Sequence, residues 1–395
     1  MQDFEFKDKK VLLRVDFNVP LTKEGKVYNN KRILASLPTI NFLLEQNASI
    51  VIVSHLGRPK GVVVEELRMD SVAKELSMLL GKNVRKLNTA IGDEVDEIKK
   101  NLQQGDIILM ENIRFYPGEK ENNPEFAKKL AQGFDAYVND SFSVNHRAHA
   151  SLVGVQDYLP SFAGISLLRE IESLSIEHFT GRKIALVGGA KLSTKIPIIE
   201  NLVKKMDYIL IGGAMIFTFL KALGYYTGKS LVEDSQLLVA KELLNTRKIV
   251  LATDVVVADN PEAEDVDIVL SDSIPDNQMG LDIGPGTLEL FKRYMDQADT
   301  IIWNGPMGYY ENEKFLYGTL DIIRYLATTK AKVIVGGGDS SGFVNKFGLE
   351  RKFYHVSTGG GASLQLLSGE PLPAIEALKK NAELFAVIPP IISHH

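Results

Sequence analysis

The chain of 395 residues contains no cysteine, which excludes disulfides, thiolate nucleophiles and cysteine-ligated metals together. It lacks any run approaching the roughly 18 apolar residues of a membrane-spanning helix, and its charged first ten residues have no apolar stretch of the kind a secretory signal needs. A cytoplasmic location without membrane contact is the expectation. It also lacks an excess of positive charge. The formal net charge is -5, whereas duplex-binding proteins carry a basic face, so nucleic acid is not an expected partner. No G-x-G-x-x-G segment follows a predicted strand, which removes the dinucleotide fingerprint of a nicotinamide enzyme. Histidines are few and, apart from the terminal His394-His395, scattered except for His146 and His149. With Arg147 between that pair and no third ligand near, the spacing reads as packed or hydrogen-bonded histidine, not as a metal site.

What the chain does contain is an ordinary globular balance, 45% hydrophobic and 24% charged. Its length exceeds the roughly 250–300 residues that one core serves, so two domains are expected. Short Val/Ile/Leu runs lie at residues 11–15, 49–53, 106–110 and 135–138, and again at 183–187, 208–211, 248–252, 300–303 and 332–335. Near-continuous apolar character suits strands buried on both faces of a parallel sheet. Helical spacing fills the intervals 31–46, 71–80, 124–132, 193–206, 234–244 and 315–328. The alternation predicts an α/β fold of two doubly wound domains, each a parallel sheet flanked by helices. The expected boundaries are 1–166, 181–370 and a helical connector over 167–180 that acts as a hinge element. The tail 371–395 carries Ile375, Leu378 and Phe385 before Pro389–Pro390, and is expected to pack near the hinge or on the first domain.

Ligands of open α/β sheets bind beyond the carboxyl ends of the strands. In the first half those ends read Asp16-Phe17-Asn18, Ser54-His55-Leu56-Gly57-Arg58-Pro59, Glu111-Asn112-Ile113-Arg114 and Asn139-Asp140-Ser141, with Arg32 at a helix start and Arg147 in a turn. One arginine alone is an ordinary surface residue. Several arginines with a histidine at one end of a sheet predict a pocket for a small, multiply anionic ligand, because guanidinium forks bind phosphate and carboxylate in pairs. Asp16 and Asn18 are suited to its hydroxyl groups.

In the second half the strand ends are glycine-rich: Gly188-Gly189-Ala190-Lys191 with Lys195 beyond, Gly212-Gly213, Asn304-Gly305-Pro306-Met307-Gly308, and Gly336-Gly337-Gly338-Asp339-Ser340. Glycine lets backbone approach a phosphate and line up N–H groups around it, and a helix starting just beyond adds its positive end. Asp339 is suited to a magnesium ion that arrives with a nucleotide. The segment 224–230, ending Gly228-Lys229-Ser230, is like a Walker A loop but has three residues between its glycines and follows a predicted helix, so the phosphate-cradle geometry fails.

The segments 14–20, 54–59 and 146–149, with 188–195, 303–311, 336–339 and 357–362, together resemble phosphoglycerate kinases, in order and over nearly the whole chain. The resemblance implies transfer of a phosphoryl group between ATP and 3-phosphoglycerate, giving ADP and 1,3-bisphosphoglycerate in glycolysis, with Mg2+ bound alongside the nucleotide. It implies a phosphoglycerate site of Asp16, Phe17, Asn18, Arg32, His55, Leu56, Gly57, Arg58, Arg114 and Arg147. It implies a nucleotide site of Lys191, Lys195, Gly212, Gly213, Gly280, Asn304, Pro306, Glu311, Gly336, Gly337, Gly338, Asp339 and Ser340, in which Glu311 holds the ribose and Asp339 the metal. Arg32, Lys191, Gly337 and Gly360 are the expected catalytic set. The acceptor carboxylate is already ionised, so no general base is required, and domain closure that excludes water is expected. A monomer is expected.

Several segments depart from the common pattern of the family: Phe142-Ser143-Val144-Asn145 before His146, Tyr309-Tyr310 before Glu311, Ser340-Ser341-Gly342, and Gly286. None removes a ligand-binding side chain. The other readings are a binding protein that does not catalyse transfer, and a kinase for another acidic metabolite.

Overall fold

The computed structural model describes residues 4–385. The chain divides into two compact units, Met1–Ile171 with Pro371–His395, and Glu172–Glu370.

The first unit is built on six parallel strands: β1 (Lys10–Val15), β2 (Ser49–Val53), β3 (Arg85–Lys86), β4 (Ile107–Leu109), β5 (Ala136–Asp140) and β6 (Ser161–Ala163), in the order β3-β4-β2-β1-β5-β6. Alternating side chains enter opposite layers, as a pleat with period two requires. Val11, Leu13 and Val15 join Ile50 and Ile52 under the helix Lys31–Glu45, while Leu12 joins Val51, Val53 and Tyr137 on the other face. Each such aliphatic side chain contributes about 1.5–3 kcal/mol when removed from water, and this two-sided burial produces the unbroken apolar runs. Arg14 follows Leu12 on the same face and is fully buried.

The second unit holds β7 (Lys183–Val187), β8 (Tyr208–Ile211), β9 (Ile249–Val250), β13 (Thr300–Asn304), β14 (Lys332–Gly336) and β15 (His355–Val356) in a parallel sheet ordered β15-β14-β13-β7-β8-β9. The α/β expectation of parallel sheets flanked by helices holds in both units. A second, antiparallel sheet was not anticipated: β11 (Asp267–Leu270), β10 (Asp254–Ala258) and β12 (Met279–Ile283). Its edge strand β11 is largely exposed, so it carries no buried apolar pattern to mark it.

Three predicted helices begin later than their spacing suggests. Residues 192–194, 234–236 and 313–315 form single 3-10 turns, and the α-helices follow as Ile196–Lys205, Leu237–Asn245 and Tyr317–Leu326. Pro197 sits in the first turn of the first of these, where its missing N–H has no intrahelical partner to lose. The connector is likewise not one continuous helix over 167–180. It runs Ile165–Leu174, breaks at Ser175 (φ -79°, ψ 88°) and resumes as the 3-10 turn Ile176–His178. The 224–230 loop follows the helix Ile216–Ala222, and Gly228 at φ +52° is pressed on Gln278 and Pro275. That packing leaves no phosphate cradle.

The tail forms a helix, Pro373–Leu384, on the first unit. Its anchors are not the apolar Ile375, Leu378 and Phe385, which are half-buried, but Ala374 and Asn381. Ala374 packs with Val144 and Leu152, and its N–H donates to Asn145 O. The Asn381 amide donates to the carbonyls of Gln156 and Leu159, and its Oδ1 accepts from Ser161 N at 2.8 Å. Pro389–Pro390 and the last three residues lie outside the described residues. Buried polar groups left without partners cost about 1–3 kcal/mol. Asn381→Ala is therefore expected to destabilise the first unit by roughly 2–3 kcal/mol, read as a lowered urea midpoint with unchanged slope. An unchanged midpoint would show that the helix contributes nothing to that unit.

Candidate active site

At the carboxyl ends of β1, β2 and β5 the predicted residues of the first unit are linked by direct bonds. Asp16 Oδ2 accepts from Arg32 Nη1 at 2.7 Å and also from the Ser143 hydroxyl, while its Oδ1 accepts from Asn18 N at 3.0 Å. Asn18 Oδ1 accepts from Gly57 N at 2.8 Å, and Gly57 O accepts from Arg114 Nη1 at 2.9 Å. Gly57 adopts φ +63° and lies against Leu67, so this bridge needs glycine. Phe17 and Leu56 belong to the hydrophobic core and present backbone here, not side chains. Arg58 is exposed, and Arg32 and Arg147 are half-exposed.

His55 is buried, and its Nδ1 lies 3.2 Å from Arg14 Nη2. Arginine has no acceptor, so Nδ1 must accept and the ring carries its proton on Nε2. Burial pushes the His55 pKa well below 6.5, and the guanidiniums of Arg14, Arg114, Arg32 and Arg147 push the same way. Arg114 is itself lowered to about 10, by burial first and then by Arg14 and Arg147. Its Nε is buried without a hydrogen-bond partner. Four guanidiniums therefore crowd around a neutral imidazole, and the mutual repulsion that they register is what an anion would relieve.

Arg14 was not among the predicted site residues. It is held by Ser151 Oγ at 2.9 Å and by Val15 O. Ser151 in turn donates N–H and hydroxyl to the fully buried Glu119, at 2.8 and 2.7 Å. Burial opposes ionisation of Glu119, but His149, Arg14 and Ser151 outweigh it and hold the carboxyl below the usual range. His149 thus sits beside a carboxylate, Nδ1 3.6 Å from Glu119 Oε1. The one sign of Arg14 in the sequence is a charged residue inside a buried Val-Leu-Leu-Arg-Val run.

In the second unit the glycine-rich strand ends are packed on one another. A Cβ at Gly188 or Gly305 would overlap the other's segment, one at Gly213 would meet Gly189, and one at Gly212 would meet Met307. Gly280 lies under the Phe217 ring, its N–H donating to Ser230 Oγ at 2.9 Å. These glycines let loops approach each other. Gly338 and Gly360 differ: a Cβ at either would meet nothing within 4 Å. Gly337 (φ +91°) precedes the helix Gly338–Lys346, and Gly360 (φ +50°) precedes Gly361–Leu367.

Asn304 joins two of the loops, accepting from Lys195 Nζ at 2.6 Å and donating to Gly336 O at 2.9 Å. Burial lowers the Lys195 pKa, and Asp339 raises it in part. Ser340 is fully buried, and its hydroxyl accepts from Gly305 N at 2.6 Å, which puts it behind the loop containing Pro306. Lys191, Glu311 and Asp339 are exposed. The Lys191 loop is tied down at Ser193, whose N–H donates to Glu233 Oε2 at 3.0 Å. No group of three or more potential ligand side chains gathers among the described residues. A single carboxylate, Asp339, in the first turn of a helix fits magnesium carried by phosphates better than a resident metal.

The sequence profile of one family, Phosphoglycerate kinase, matches residues 1–370. The chain belongs to the phosphoglycerate kinase family. It is 50% identical over 388 residues to the phosphoglycerate kinase of Dictyoglomus turgidum, covering 96% of this chain and 98% of that one. It is 48% identical to that of Moorella thermoacetica, with 96% and 99% covered. The solved structure of phosphoglycerate kinase from Coxiella burnetii superposes with a TM-score of 0.88 at 40% identity, over 97% of this chain and 99% of that one. The Pyrococcus horikoshii structure gives 0.80 at 32%, with the same shares covered. Within this phosphoglycerate kinase fold the unusual Ser143 touches Asp16, and Tyr310 packs edge-on against Phe343 at 5.2 Å.

A neutral His55 has a pH consequence of fixed sign. Below pH 6.5 the unfolded chain takes up a proton that the folded one refuses, so stability is present above that pH and lost as pH falls. Between pH 7.5 and 5.5 this group therefore lowers stability as the unfolded chain takes up its proton. Urea unfolding of His55→Gln is expected to lose less stability over the same interval than wild type. Equal losses would mean that His55 is protonated in the folded state.

Proposed function

We infer that the protein catalyses reversible phosphoryl transfer between ATP and the carboxylate of 3-phosphoglycerate, giving ADP and 1,3-bisphosphoglycerate, as a glycolytic kinase. The observation that carries this reading is the guanidinium cluster around neutral His55 at the end of the first sheet, in a chain of this family.

Phosphoglycerate is bound by the first unit. Its phosphate is taken by the guanidiniums of Arg58, Arg114 and Arg147, with the His55 Nε2–H as a neutral donor beside them. Asp16 and Asn18 orient the hydroxyl. Asp16 also positions Arg32 by its 2.7 Å ion pair, directing one fork of that guanidinium while leaving the side chain half-exposed to the acceptor carboxylate.

The nucleotide is bound by the second unit. Lys195, fixed by Asn304, faces the phosphates, and Lys191 reaches them from its tied loop. The open backbone at Gly338 and Gly360, each at a helix start, provides N–H donors for the moving phosphoryl group. Glu311 takes the ribose hydroxyls, while Gly212, Gly213, Gly280 and Pro306 shape the base pocket. Ser340 acts through Gly305. Magnesium held by Asp339 with the nucleotide supplies charge neutralisation on its phosphates.

The acceptor is a carboxylate, ionised at neutral pH, so the protein's task is alignment and charge neutralisation rather than proton removal. Arg32 and Lys191 perform it from the two ligand sides. The protein acts as a cytoplasmic monomer; among the described residues no helix is long and apolar enough to cross a membrane.

The test is ATP consumption dependent on 3-phosphoglycerate and magnesium, coupled to reduction of the acyl phosphate. In Arg32→Ala, kcat is expected to fall at least about 10²-fold with ADP affinity changed less than threefold. Absence of turnover in wild type with both ligands bound would favour a binding protein. In Asp339→Asn the magnesium concentration for half-maximal rate is expected to rise several-fold, and an unchanged magnesium dependence would remove Asp339 from the metal site.

A further inference from the structure

Asp282 lies at the end of β12, 4% exposed, and none of the predicted roles uses it. Among the described residues its carboxylate has no basic partner. Oδ1 accepts from Ile283 N at 2.8 Å, and Oδ2 accepts from Gly318 N at 2.7 Å. Gly318 is the second residue of the helix Tyr317–Leu326, so Asp282 satisfies one of the orphan N–H groups at that helix start from another strand.

The carboxylate is also the floor of a loop. A Cβ at Gly308 would overlap Asp282 Oδ1, and one at Gly318 would overlap the same oxygen. Both glycines are therefore needed for backbone to close over the acid. The loop is stitched on either side of this contact. Met307 N donates to Thr319 Oγ1 at 2.9 Å, and Tyr309 N donates to Leu281 O at 2.7 Å. Gly213 N donates to Met307 O at 2.8 Å, which extends the same support to the loop after β8. Asp282, Thr319 and Leu281 thus hold the segment running from Asn304 to Glu311.

We propose that Asp282 is a positioning residue for nucleotide binding, its ionised carboxylate fixing the height of the Gly305–Glu311 loop against the helix Tyr317–Leu326. The proposal rests on the reading that the nucleotide sits on the second unit. The mechanism is a donor–acceptor match. A carboxylate accepts from both N–H groups, whereas a protonated acid or an amide presents a donor to one of them. Burial pushes Asp282 up to about 7, with the Gly318 and Ile283 N–H groups opposing. Of the titratable groups on the packed elements, Asp254 on β10, Glu311 on the loop, and Asp321 and Arg324 on the helix add nothing to that shift. The acid therefore titrates through the neutral range while the loop it carries is in place.

The experiment measures dissociation constants of Mg-ADP and of 3-phosphoglycerate by calorimetry on the full chain, for wild type, Asp282→Asn and Thr319→Val, at pH 8 and pH 6. At pH 8 Asp282→Asn is expected to weaken ADP about tenfold and Thr319→Val in the same direction, with 3-phosphoglycerate within twofold of wild type in both. At pH 6 wild type is itself protonated at Asp282, so the ratio of the Asp282→Asn and wild-type ADP constants should shrink toward one. Taking that ratio cancels the titration of ADP itself. Unchanged ADP affinity in folded Asp282→Asn and Thr319→Val, equal weakening of both ligands, or a ratio that stays tenfold at pH 6 overturns the proposal. Failure of wild type to bind ADP at all overturns the underlying reading instead.

Discussion

Repulsion among like charges is the constraint on which the first unit's site depends. Arg14, Arg32, Arg114 and Arg147 all act on His55, and Arg14 and Arg147 act on Arg114 as well. The carboxylates bonded into the cluster are Asp16 and Glu119, so positive charge is left over. A folded chain tolerates such an excess only if the charges are fixed from behind and relieved from in front. Glu119, buried with Ser151 and His149, fixes from behind. It carries the charge of Arg14 on the core side, where an unpaired guanidinium would be costly. Relief from in front is the work proposed for a phosphate ligand. His55 is kept neutral by its burial and then by the same field, so in the proposed role it would donate to an anion without adding a charge to the repulsion.

The nucleotide proposed for the second unit is equally anionic, and the residues there offer it a different kind of site. Cations are fewer there, and Lys195 has its pKa lowered by burial. Backbone takes over much of the task. Loops after four strands interlock through glycines whose Cβ positions are filled by the neighbouring loop, and Asn304 ties the ends of β13 and β14 together. Rigid loops behind make the few open positions in front, at Gly338 and Gly360, dependable as N–H donors. A carboxylate floor under the Gly305–Glu311 loop and a buried serine behind the start of the same loop belong to that supporting layer, which is where preorganisation of a site is set.

The parallel sheets were legible because burial on both faces leaves unbroken aliphatic runs, and nine such runs became strands at nearly their expected bounds. Strands β3, β6, β9 and β15 are two or three residues long at sheet edges, too short to leave such a run, and of these only β9 was anticipated. The antiparallel sheet escaped for a related reason, since β11 faces solvent. At the site, the exposed end of each strand was legible from charge and glycine. What supports those ends was not. Arg14, Glu119, Ser151 and Asp282 act through partners 30 to 140 positions away in the chain, and no local spacing records such a pairing. Glycine misled in one respect. Its clusters do fall at strand ends, but most of them serve loop-to-loop contact, and only the geometry distinguishes these from the open ones.

Ser143 shows how a departure from the family pattern is absorbed. A residue that adds a hydroxyl beside Asp16 brings a polar group that must find a partner when half-buried. Its partner is Asp16 Oδ2, the oxygen that also receives Arg32. A carboxylate oxygen has two lone pairs, so it accepts both without releasing either. Asn145, two residues on and fully buried, is accommodated the same way, accepting from Asn139 Nδ2 at 2.9 Å and donating to Ser141 O at 2.8 Å. The substitution therefore changes which neutral donors surround Asp16 while leaving the Asp16–Arg32 pair intact. Since the role proposed for Arg32 in transfer needs its guanidinium aimed and Asp16 is what it is bonded to, the tolerance of this segment to substitution has a limit: a side chain that displaced Arg32 from Oδ2 would disturb that proposed alignment even with every predicted ligand-binding residue present.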